Sequence, residues 1–260
     1  MKFATVDRTD AHSVQIRESI IVNCTQMGWV YDEDKPDLVI CIGGDGTFLR
    51  AIHQYIERAD ITSFVGIHTG TLGFLTDYTC DELERFYFDC KCNEARIEKF
   101  PFLEIRLDYK NGDHKTIYSF NEIRIESSIR TLNLDVYIDN EYFEHTTGSG
   151  ICISTQAGST AVNRALQGAV IDSGLDVLQL CEILPISHSN HHTLRNPYIM
   201  KSDRQVRVEC LDLSKAFLYY DYLQEDLDDV SEIHVSTSTK KVRFARYRTY
   251  SYLKRLKNLY

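Results

Sequence analysis

A glycine-rich turn with a single acid is the sharpest chemical feature of the sequence. It reads Gly43-Gly44-Asp45-Gly46, after an apolar segment typical of a strand and before a helical pattern. Glycines let the backbone approach a phosphate, and the N-terminus of the following helix offers unpaired N–H groups to an anion. No Gly-Lys-Ser/Thr follows, so the turn is not a Walker A loop.

An acid inside a phosphate-binding turn calls for a specific role, because a carboxylate and a phosphate repel each other. Such a placement suits a general base or a contact to a metal ion. We therefore predict that Asp45 is catalytic. The alternative is an ordinary strand-to-helix turn in which Asp45 only caps the helix.

A second glycine loop, Gly70-Thr71-Leu72-Gly73-Phe74, also follows a predicted strand. Ligands of α/β sheets lie at the carboxyl ends of the strands, so the two glycine loops are predicted at one edge of a sheet. At that edge Phe74 would form the wall of an adenine pocket. Core packing of the same ring is an equal alternative.

Two further segments carry polar groups between predicted strands. Asn121 and Glu122 together suit a purine edge or ribose hydroxyls, although such a pair is also common at a solvated strand end. Residues 154–161, Ser-Thr-Gln-Ala-Gly-Ser-Thr-Ala, form a strand end, a glycine loop and a helix start. Ser159 and Thr160 are the predicted N-caps of that helix.

Histidines and cysteines show no pattern of a metal site or a nucleophile. His188, His191 and His192 lie among Ser and Asn residues, which favours a polar loop over a metal patch. The eight cysteines lack zinc spacing, and several stand in apolar, strand-like runs. We therefore predict reduced, mostly buried cysteines in a cytoplasmic protein.

The elements that must position these residues change in kind near residue 100. Residues 2–7, 37–42 and 61–67 are predicted strands, and they alternate with helices predicted over 11–27 and 47–58 and from residue 81. This alternation predicts an α/β domain with a parallel sheet.

The second half is predicted to be mostly β. Alternating residues flank the hairpin signal Asn111-Gly112, and a further turn is predicted at Asp139-Asn140. Further strands are predicted over 123–126, 134–138, 141–145, 150–154, 206–211, 215–221 and 232–237, with one helix over 159–167 and a short terminal helix over 252–257.

Charge and hydropathy exclude two classes of function. The 260 residues carry a net charge of −9, with eight Lys/Arg and no acid in residues 240–260. The rest is strongly acidic, which disfavours nucleic acid as a partner, and the basic end is predicted to pack against the acidic body or a second subunit. The apolar runs are too short for a transmembrane helix, and the N-terminus does not resemble a secretory signal.

Taken in order, the four segments resemble the NAD kinase family. The match consists of Gly-Gly-Asp-Gly at 43–46, Gly-x-Leu-Gly-Phe at 70–74, Asn-Glu at 121–122 and Ser-Thr-x-x-Gly-Ser-Thr-Ala at 154–161. The basic segment at 241–246 is similar to that of short members from Gram-positive bacteria. Related lipid kinases and phosphofructokinases share the first motif but not the full set.

The resemblance implies an NAD kinase-like fold: an α/β N-terminal domain over 1–100, a mostly β C-terminal domain over 101–236, and a tail over 237–260 that returns to the first domain. It implies ATP-dependent phosphorylation of the 2′-hydroxyl of the adenosine ribose of NAD, with Mg²⁺ or another divalent cation, in a homodimer or homotetramer. No side chain of this sequence is assigned as a metal ligand.

Site roles follow from the same resemblance. It implies that Asp45 is the general base and that Gly43, Gly44 and Gly46 make room for phosphate. The residues implied to hold the acceptor are Phe74, Asn121, Glu122, Ser159, Thr160, Ala161, Arg164 and Ala165.

Departures from the family pattern are concentrated on the nicotinamide side. An aspartate is usual where Ser149 stands, an arginine is frequent at Thr147, a tyrosine is usual at Val162 and a small residue at Leu184. Two alternatives to NAD therefore stay open: a 2′-kinase for another adenosine-containing acceptor, and a non-catalytic nucleotide-binding regulator.

Overall fold

The computed structural model describes residues 1–71, 73–187 and 193–257. The chain forms two compact units, Met1–Phe100 together with Lys240–Tyr260, and Pro101–Thr239. The first unit alternates strands and helices and the second is mostly β, so the predicted fold class is confirmed. The histidines at 188, 191 and 192 lie outside the described residues, as does Leu72.

Seventeen strands and five α-helices are present in the described part of the chain. The helices are α1 (Ala11–Gln26), α2 (Asp45–Gln54), α3 (Leu83–Cys92), α4 (Val162–Ala165) and α5 (Tyr252–Leu256). The strands are β1 (Lys2–Asp7), β2 (Val30–Tyr31), β3 (Leu38–Ile42), β4 (Ser63–His68), β5 (Tyr78–Thr79), β6 (Arg96–Tyr109), β7 (His114–Ser119), β8 (Glu122–Glu126), β9 (Leu132–Ile138), β10 (Glu141–Gly148), β11 (Gly150–Thr155), β12 (Val177–Ile183), β13 (Tyr198–Lys201), β14 (Val206–Glu209), β15 (Phe217–Tyr220), β16 (Leu223–Asp226) and β17 (Val230–Arg246).

A parallel sheet is the centre of the first unit. Its strand order is β2-β1-β3-β4, and the end of β17 joins β4 in parallel through Arg243 and Phe244. All five residues of β3 are buried, as expected for a continuous apolar run in a parallel sheet with both faces covered. The core packs Phe3, Ile20 and Phe86 around this strand.

The register of β3 and β4 decides where the first two motifs lie. The strands are parallel neighbours that pair from Leu38 with Ser63 to Ile42 with Ile67. Both strands therefore end at the same edge of the sheet, where the glycine turn follows β3 and the second glycine loop follows β4.

Antiparallel sheets build the second unit. One has the order β13-β12-β11-β8-β15-β16, and the other joins β10, β9, β14 and the first part of β17. Apolar residues from both sheets form one core, which includes Ile123, Ile153, Val136 and Ile233. The Asp139-Asn140 turn connects β9 and β10 with φ angles of 52° and 67°, as I′-type hairpins require.

Several predicted elements differ from the structure. The helix predicted from Thr47 begins at Asp45 and its α-helical part ends at Gln54. The helix predicted over 159–167 is wrong, because a 3-10 turn at Ala157–Thr160 and the short α4 replace it. Strands β12, β13 and β16 were not predicted, because short polar-interrupted runs give a weak period-2 signal.

All eight cysteines are free thiols. Cys24, Cys41, Cys152 and Cys181 are buried, and burial raises the pKa of Cys24 to about 12 and of Cys181 to about 11. These two side chains are therefore held in the thiol form and act as small core residues. None of the helices in the described ranges combines the length and the apolar character needed to cross a bilayer.

Candidate active site

The glycine turn presents the N-terminus of α2 without a side-chain cap. Gly44 is the N-cap residue, and no side chain bonds to the free N–H groups there. Gly43 has a φ of 152°, and a Cβ at that position would lie 2.3 Å from the Thr47 hydroxyl oxygen, so only glycine fits. The exposed N–H groups and the helix dipole together make this turn suited to a phosphate.

The carboxylate of Asp45 is held by the second glycine loop. Its Oδ2 accepts a hydrogen bond from the Phe74 N–H and its Oδ1 from the Leu75 N–H, each at 2.9 Å. A Cβ on Gly73 would lie 2.3 Å from Oδ1, which explains the glycine there. Asp45 is the first residue of α2 and Gly44 is its N-cap, so the alternative that Asp45 only caps the helix is wrong.

His68 is a residue of this site that the sequence analysis missed. It ends β4, and its Nδ1 accepts a hydrogen bond from the Gly70 N–H at 2.8 Å. Burial lowers the pKa of His68, although the charge of Asp45 partly opposes this, so the ring is neutral with its proton on Nε2. A Cβ on Gly44 would lie 3.2 Å from that nitrogen. The signal available in the sequence was a histidine directly before a glycine loop.

The ring of Phe74 is half-buried and packs on the C-terminal tail. Its centroid lies 5.7 Å from that of Tyr252 at an interplanar angle of 58°. Its backbone carbonyl accepts a hydrogen bond from the Tyr250 hydroxyl at 2.7 Å. One side of the ring therefore has a protein partner, and the ring is not wholly part of the core.

In the second unit, Asn121 is fixed entirely through its backbone contacts. Its carbonyl accepts from the Thr155 N–H at 2.8 Å and from the Thr155 hydroxyl at 3.0 Å. Its N–H donates to Asp221 Oδ1 at 2.7 Å, and the Phe120 N–H donates to Asp221 Oδ2 at 2.8 Å. Asp221 is a second residue that the sequence analysis missed, since it lies in an ordinary turn between two strands.

Glu122 is a buried carboxyl group with an unsatisfied atom. Only 3% of the residue is exposed, and its Oε2 has no hydrogen-bond partner. Burial, and then the charge of Asp221, raise the pKa of Glu122 to about 8. Because buried polar atoms normally have partners, Oε2 is suited to a hydrogen bond with a ligand hydroxyl.

The segment over 157–165 differs from its prediction in a way that matters for binding. Ala161 has φ −96° and ψ −134°, which separates the 3-10 turn from α4. Ser159 and Thr160 are not N-caps: the Ser159 hydroxyl accepts from the Ile171 N–H at 3.1 Å, and the Thr160 hydroxyl donates to Ala157. The capping prediction was wrong because both residues lie inside the 3-10 turn and Ala161 is the N-cap of α4.

The remaining predicted acceptor residues of this segment lie on or near its surface. Arg164 and Ala165 are exposed, whereas Thr160, Ala161 and Val162 are half-buried. The break at Ala161 therefore leaves both backbone and small side chains accessible to a ligand.

Three of the four residues that depart from the family pattern lie on two paired segments, whereas Val162 begins α4. The Ser149 N–H donates to the Ile183 carbonyl at 2.9 Å, and the Thr147 carbonyl accepts from the Ile186 N–H at 2.7 Å. Leu184 stands between these contacts with a φ of 46° and an exposure of 75%. The structure thus brings Thr147, Ser149 and Leu184 together.

A cavity of about 350 Å³ adjoins these residues. Leu184 and Ala165 line it, and the carboxylate of Glu182 and the guanidinium of Arg195 supply its charges. The Glu182 carboxylate also accepts from the Thr146 hydroxyl at 2.6 Å. This cavity has room and polar partners for a flat polar ring.

The first unit fits a magnesium ion only if substrate phosphates supply some of its ligands. Each Asp45 oxygen accepts one backbone N–H and keeps a free lone pair. Mg²⁺ typically binds one or two carboxylates together with substrate phosphates and waters, so one carboxylate suffices. Among the described residues, three potential ligands cluster only at Asp108, Glu232 and His234 of the second unit.

Comparison with known proteins assigns both halves of the chain to one family. The profile described as the ATP-NAD kinase N-terminal domain matches residues 8–89, and that of the ATP-NAD kinase C-terminal domain matches residues 121–247. The NAD kinase of Lysinibacillus sphaericus is 35% identical over 256 residues, covering 98% of this chain and 97% of the relative. NAD kinase 1 of Bacillus anthracis is 34% identical over 259 residues, covering 99% and 98%.

Two solved structures share the fold. A yeast NADH kinase complexed with NADH superposes with a TM-score of 0.84 at 20% identity, covering 100% of this chain and 87% of that chain. An NAD kinase from Archaeoglobus fulgidus in complex with ATP has a TM-score of 0.76 at 23% identity, with coverages of 100% and 97%.

Proposed function

The chain belongs to the NAD kinase family, and on that premise we propose that it transfers the γ-phosphoryl group of ATP to the 2′-hydroxyl of the adenosine ribose of NAD. The observation that supports the reaction is the Asp45 carboxylate in the glycine turn, oriented by the N–H groups of Phe74 and Leu75. The proposed base and the proposed phosphate-binding turn both belong to the first unit.

In the proposed reaction, Asp45 takes the proton of the 2′-hydroxyl as its oxygen attacks the γ-phosphorus. One P–O bond forms to the ribose oxygen, the bond to the bridging oxygen of ATP breaks, and ADP leaves. The free N–H groups at Gly44 and the following turn hold phosphate oxygens, which bear the negative charge of the transition state. The Nε2–H of His68 supplies a further donor to phosphate.

A divalent cation, proposed to be Mg²⁺, accompanies ATP in this scheme. Asp45 is the side chain that would contact it through a free lone pair, and phosphates and waters would provide the other ligands. The ion would neutralise phosphate charge. The Asp45 carboxylate itself stays oriented by the loop N–H groups in either case.

We propose that the second unit recognises the acceptor and that the half-buried Phe74 of the first unit contacts a nucleotide base. Glu122 Oε2, buried and without a partner, would accept a ribose hydroxyl, and Asn121 would contact the adenine edge. The accessible break at 160–162 would lie against the nucleotide. Ser149, Thr147, Val162 and Leu184 would surround the nicotinamide half.

We also propose that the enzyme acts in the cytoplasm as a homodimer or homotetramer, with NAD and ATP as its ligands and neither nucleic acid nor membrane as a partner. The exposed Leu184 and Ile186 support a contact with a second copy, and the net charge of −9 disfavours nucleic acid. Sedimentation analysis of the purified protein tests the assembly.

The decisive experiment replaces the proposed base. Asp45→Asn should keep the fold and bind nucleotide but lose about 10²–10⁴-fold or more in kcat, because an amide cannot take the proton and its NH₂ group faces one of the two loop N–H groups. Asp60→Asn, a change at an exposed acid of the same unit, is the matched control and should leave kcat unchanged. Turnover by Asp45→Asn within about threefold of wild type would remove Asp45 from the mechanism.

Identification of the product completes the test. Phosphorus NMR of the product of NAD and ATP should show a 2′-phosphomonoester. A panel of NAD, NADH, ADP-ribose and adenosine dinucleotides should show which acceptor has the highest kcat/KM.

A further inference from the structure

Residues 246–256 of the C-terminal tail donate hydrogen bonds to three carbonyls of the loop that holds Asp45. We call that loop, residues 73–77, the acid-binding loop. The Tyr250 hydroxyl donates to Phe74 O at 2.7 Å, and the Arg255 guanidinium donates to Thr76 O at 2.9 Å. Arg248 donates to Asp77 O. Three tail side chains therefore hold three of the loop's carbonyls.

A buried ion pair fixes the end of this loop to the tail. Arg246 Nη1 contacts both carboxylate oxygens of Asp77 at 2.8 Å, and the two side chains are 2% and 1% exposed. Arg246 also contacts Glu98 at 3.0 Å. Buried ion pairs with this many partners resist displacement, so Asp77 is a fixed anchor for the loop.

One peptide group connects the tail to the proposed base. The carbonyl that accepts from Tyr250 and the N–H that donates to Asp45 Oδ1 belong to the same peptide, between Phe74 and Leu75. A peptide group is planar and rigid, so turning its carbonyl also turns its N–H. The Tyr250 hydroxyl therefore bonds to the C=O of the same planar peptide group whose N–H bonds to the Asp45 carboxylate.

We propose that Tyr250 is a positioning residue for phosphoryl transfer: by holding the Phe74 carbonyl, it aims the Leu75 N–H at the Asp45 carboxylate. The proposal rests on the proposed role of Asp45 as general base. Tyr250 is not assigned a contact with substrate. Without its hydroxyl the Phe74–Leu75 peptide can rotate, and Asp45 loses a defined orientation.

Tyr250→Phe isolates the hydroxyl, because the ring and its packing against the guanidinium of Arg246, 4.2 Å from the ring centroid, are kept. We expect kcat to fall about 5- to 20-fold while KM for ATP stays within about twofold, as befits a loss of orientation. Lys254→Met on the exposed side of α5 is the control and should match wild type.

A double-mutant cycle with Asp45→Asn separates positioning from general destabilisation. If Tyr250 acts through Asp45, then Tyr250→Phe should lower kcat by less than about twofold in the Asp45→Asn background. An equal loss in both backgrounds, or no loss in the wild-type background, overturns the proposal. Asp45→Asn alone near wild-type turnover overturns the general-base role instead, so the two failures are distinguishable. Thermal unfolding of each variant confirms that the measured chain is folded.

Discussion

Asp221 lies one hundred residues from Asn121 in the chain, yet its carboxylate is the acceptor for the Asn121 N–H at 2.7 Å. The same carboxylate accepts from the Phe120 N–H and the Ser119 hydroxyl, and the Asp221 N–H donates to Glu122 O. With a φ of 50°, Asp221 is held in a left-handed conformation by these contacts. One acid therefore shapes the turn that presents both predicted acceptor residues.

Asp221→Asn should weaken the binding of NAD, although no contact between Asp221 and NAD is proposed. The amide keeps one acceptor oxygen but places an NH₂ group against a backbone N–H, which costs about 1–3 kcal/mol. We expect NAD affinity to fall about 5- to 30-fold in titration calorimetry and the free energy of unfolding to fall measurably. Asp203→Asn, at an exposed acid of the same unit, is the control. Equal affinity in the two variants would assign Asp221 no role in binding.

Glu122→Gln should change how stability depends on pH. The folded-state pKa of Glu122 is raised from 4.5 to about 8, so between these values the native state keeps a proton that the unfolded chain releases. Wild-type stability therefore falls as pH rises from 4.5 to about 8, by about 2–4 kcal/mol from this group. The Gln variant lacks this fall. Urea unfolding from pH 5 to 9 measures it, with Glu94→Gln as an exposed control; parallel pH curves for wild type and Glu122→Gln would contradict the prediction.

Two substitutions at His68 should distinguish the roles of its two ring nitrogens. His68→Asn keeps an acceptor near the Gly70 N–H but removes the donor that faces Gly44, whereas His68→Gln places an amide donor near the Nε2 position. We expect KM for ATP to rise about 5- to 20-fold in the Asn variant and less in the Gln variant. Steady-state kinetics with ATP varied at saturating NAD measures the difference. A larger rise in KM for ATP in the Gln variant than in the Asn variant would show that the Nδ1 contact with Gly70 matters more than the Nε2 donor.

Ser149→Asp combined with Val162→Tyr should increase the preference for NAD over ADP-ribose. Serine is a shorter, uncharged partner for a carboxamide, and valine lacks an aromatic wall. Restoring both groups should raise the ratio of kcat/KM values about fivefold or more. Each single variant, assayed with both acceptors, serves as the control. An unchanged ratio would mean that the cavity beside Leu184 and Glu182 already compensates.

Much of the fold follows from local pattern in the sequence. An apolar run such as Leu38–Ile42, five residues long and ended by glycines, indicates a buried strand, and the glycine turn predicts the start of a helix with free N–H groups. Turn signals at Asn111-Gly112 and Asp139-Asn140 predict their hairpins for the same reason: the preference resides in a few adjacent residues. Asp45 and Glu122 could therefore be singled out from residue type and local spacing alone.

The partners of those residues were decided by tertiary structure alone. Asp45 is oriented by peptides 29 and 30 residues away, Asn121 by Asp221, and the acid-binding loop by Tyr250 and Arg255 at the far end of the chain. Sequence pattern contains residue type and local spacing, whereas a hydrogen bond across such separations depends on strand order and loop packing. The sequence by itself singled out Asp45 and Glu122 for their proposed roles, and the tertiary structure decided which groups orient them, because orientation is a property of contacts that form only when distant segments pack together.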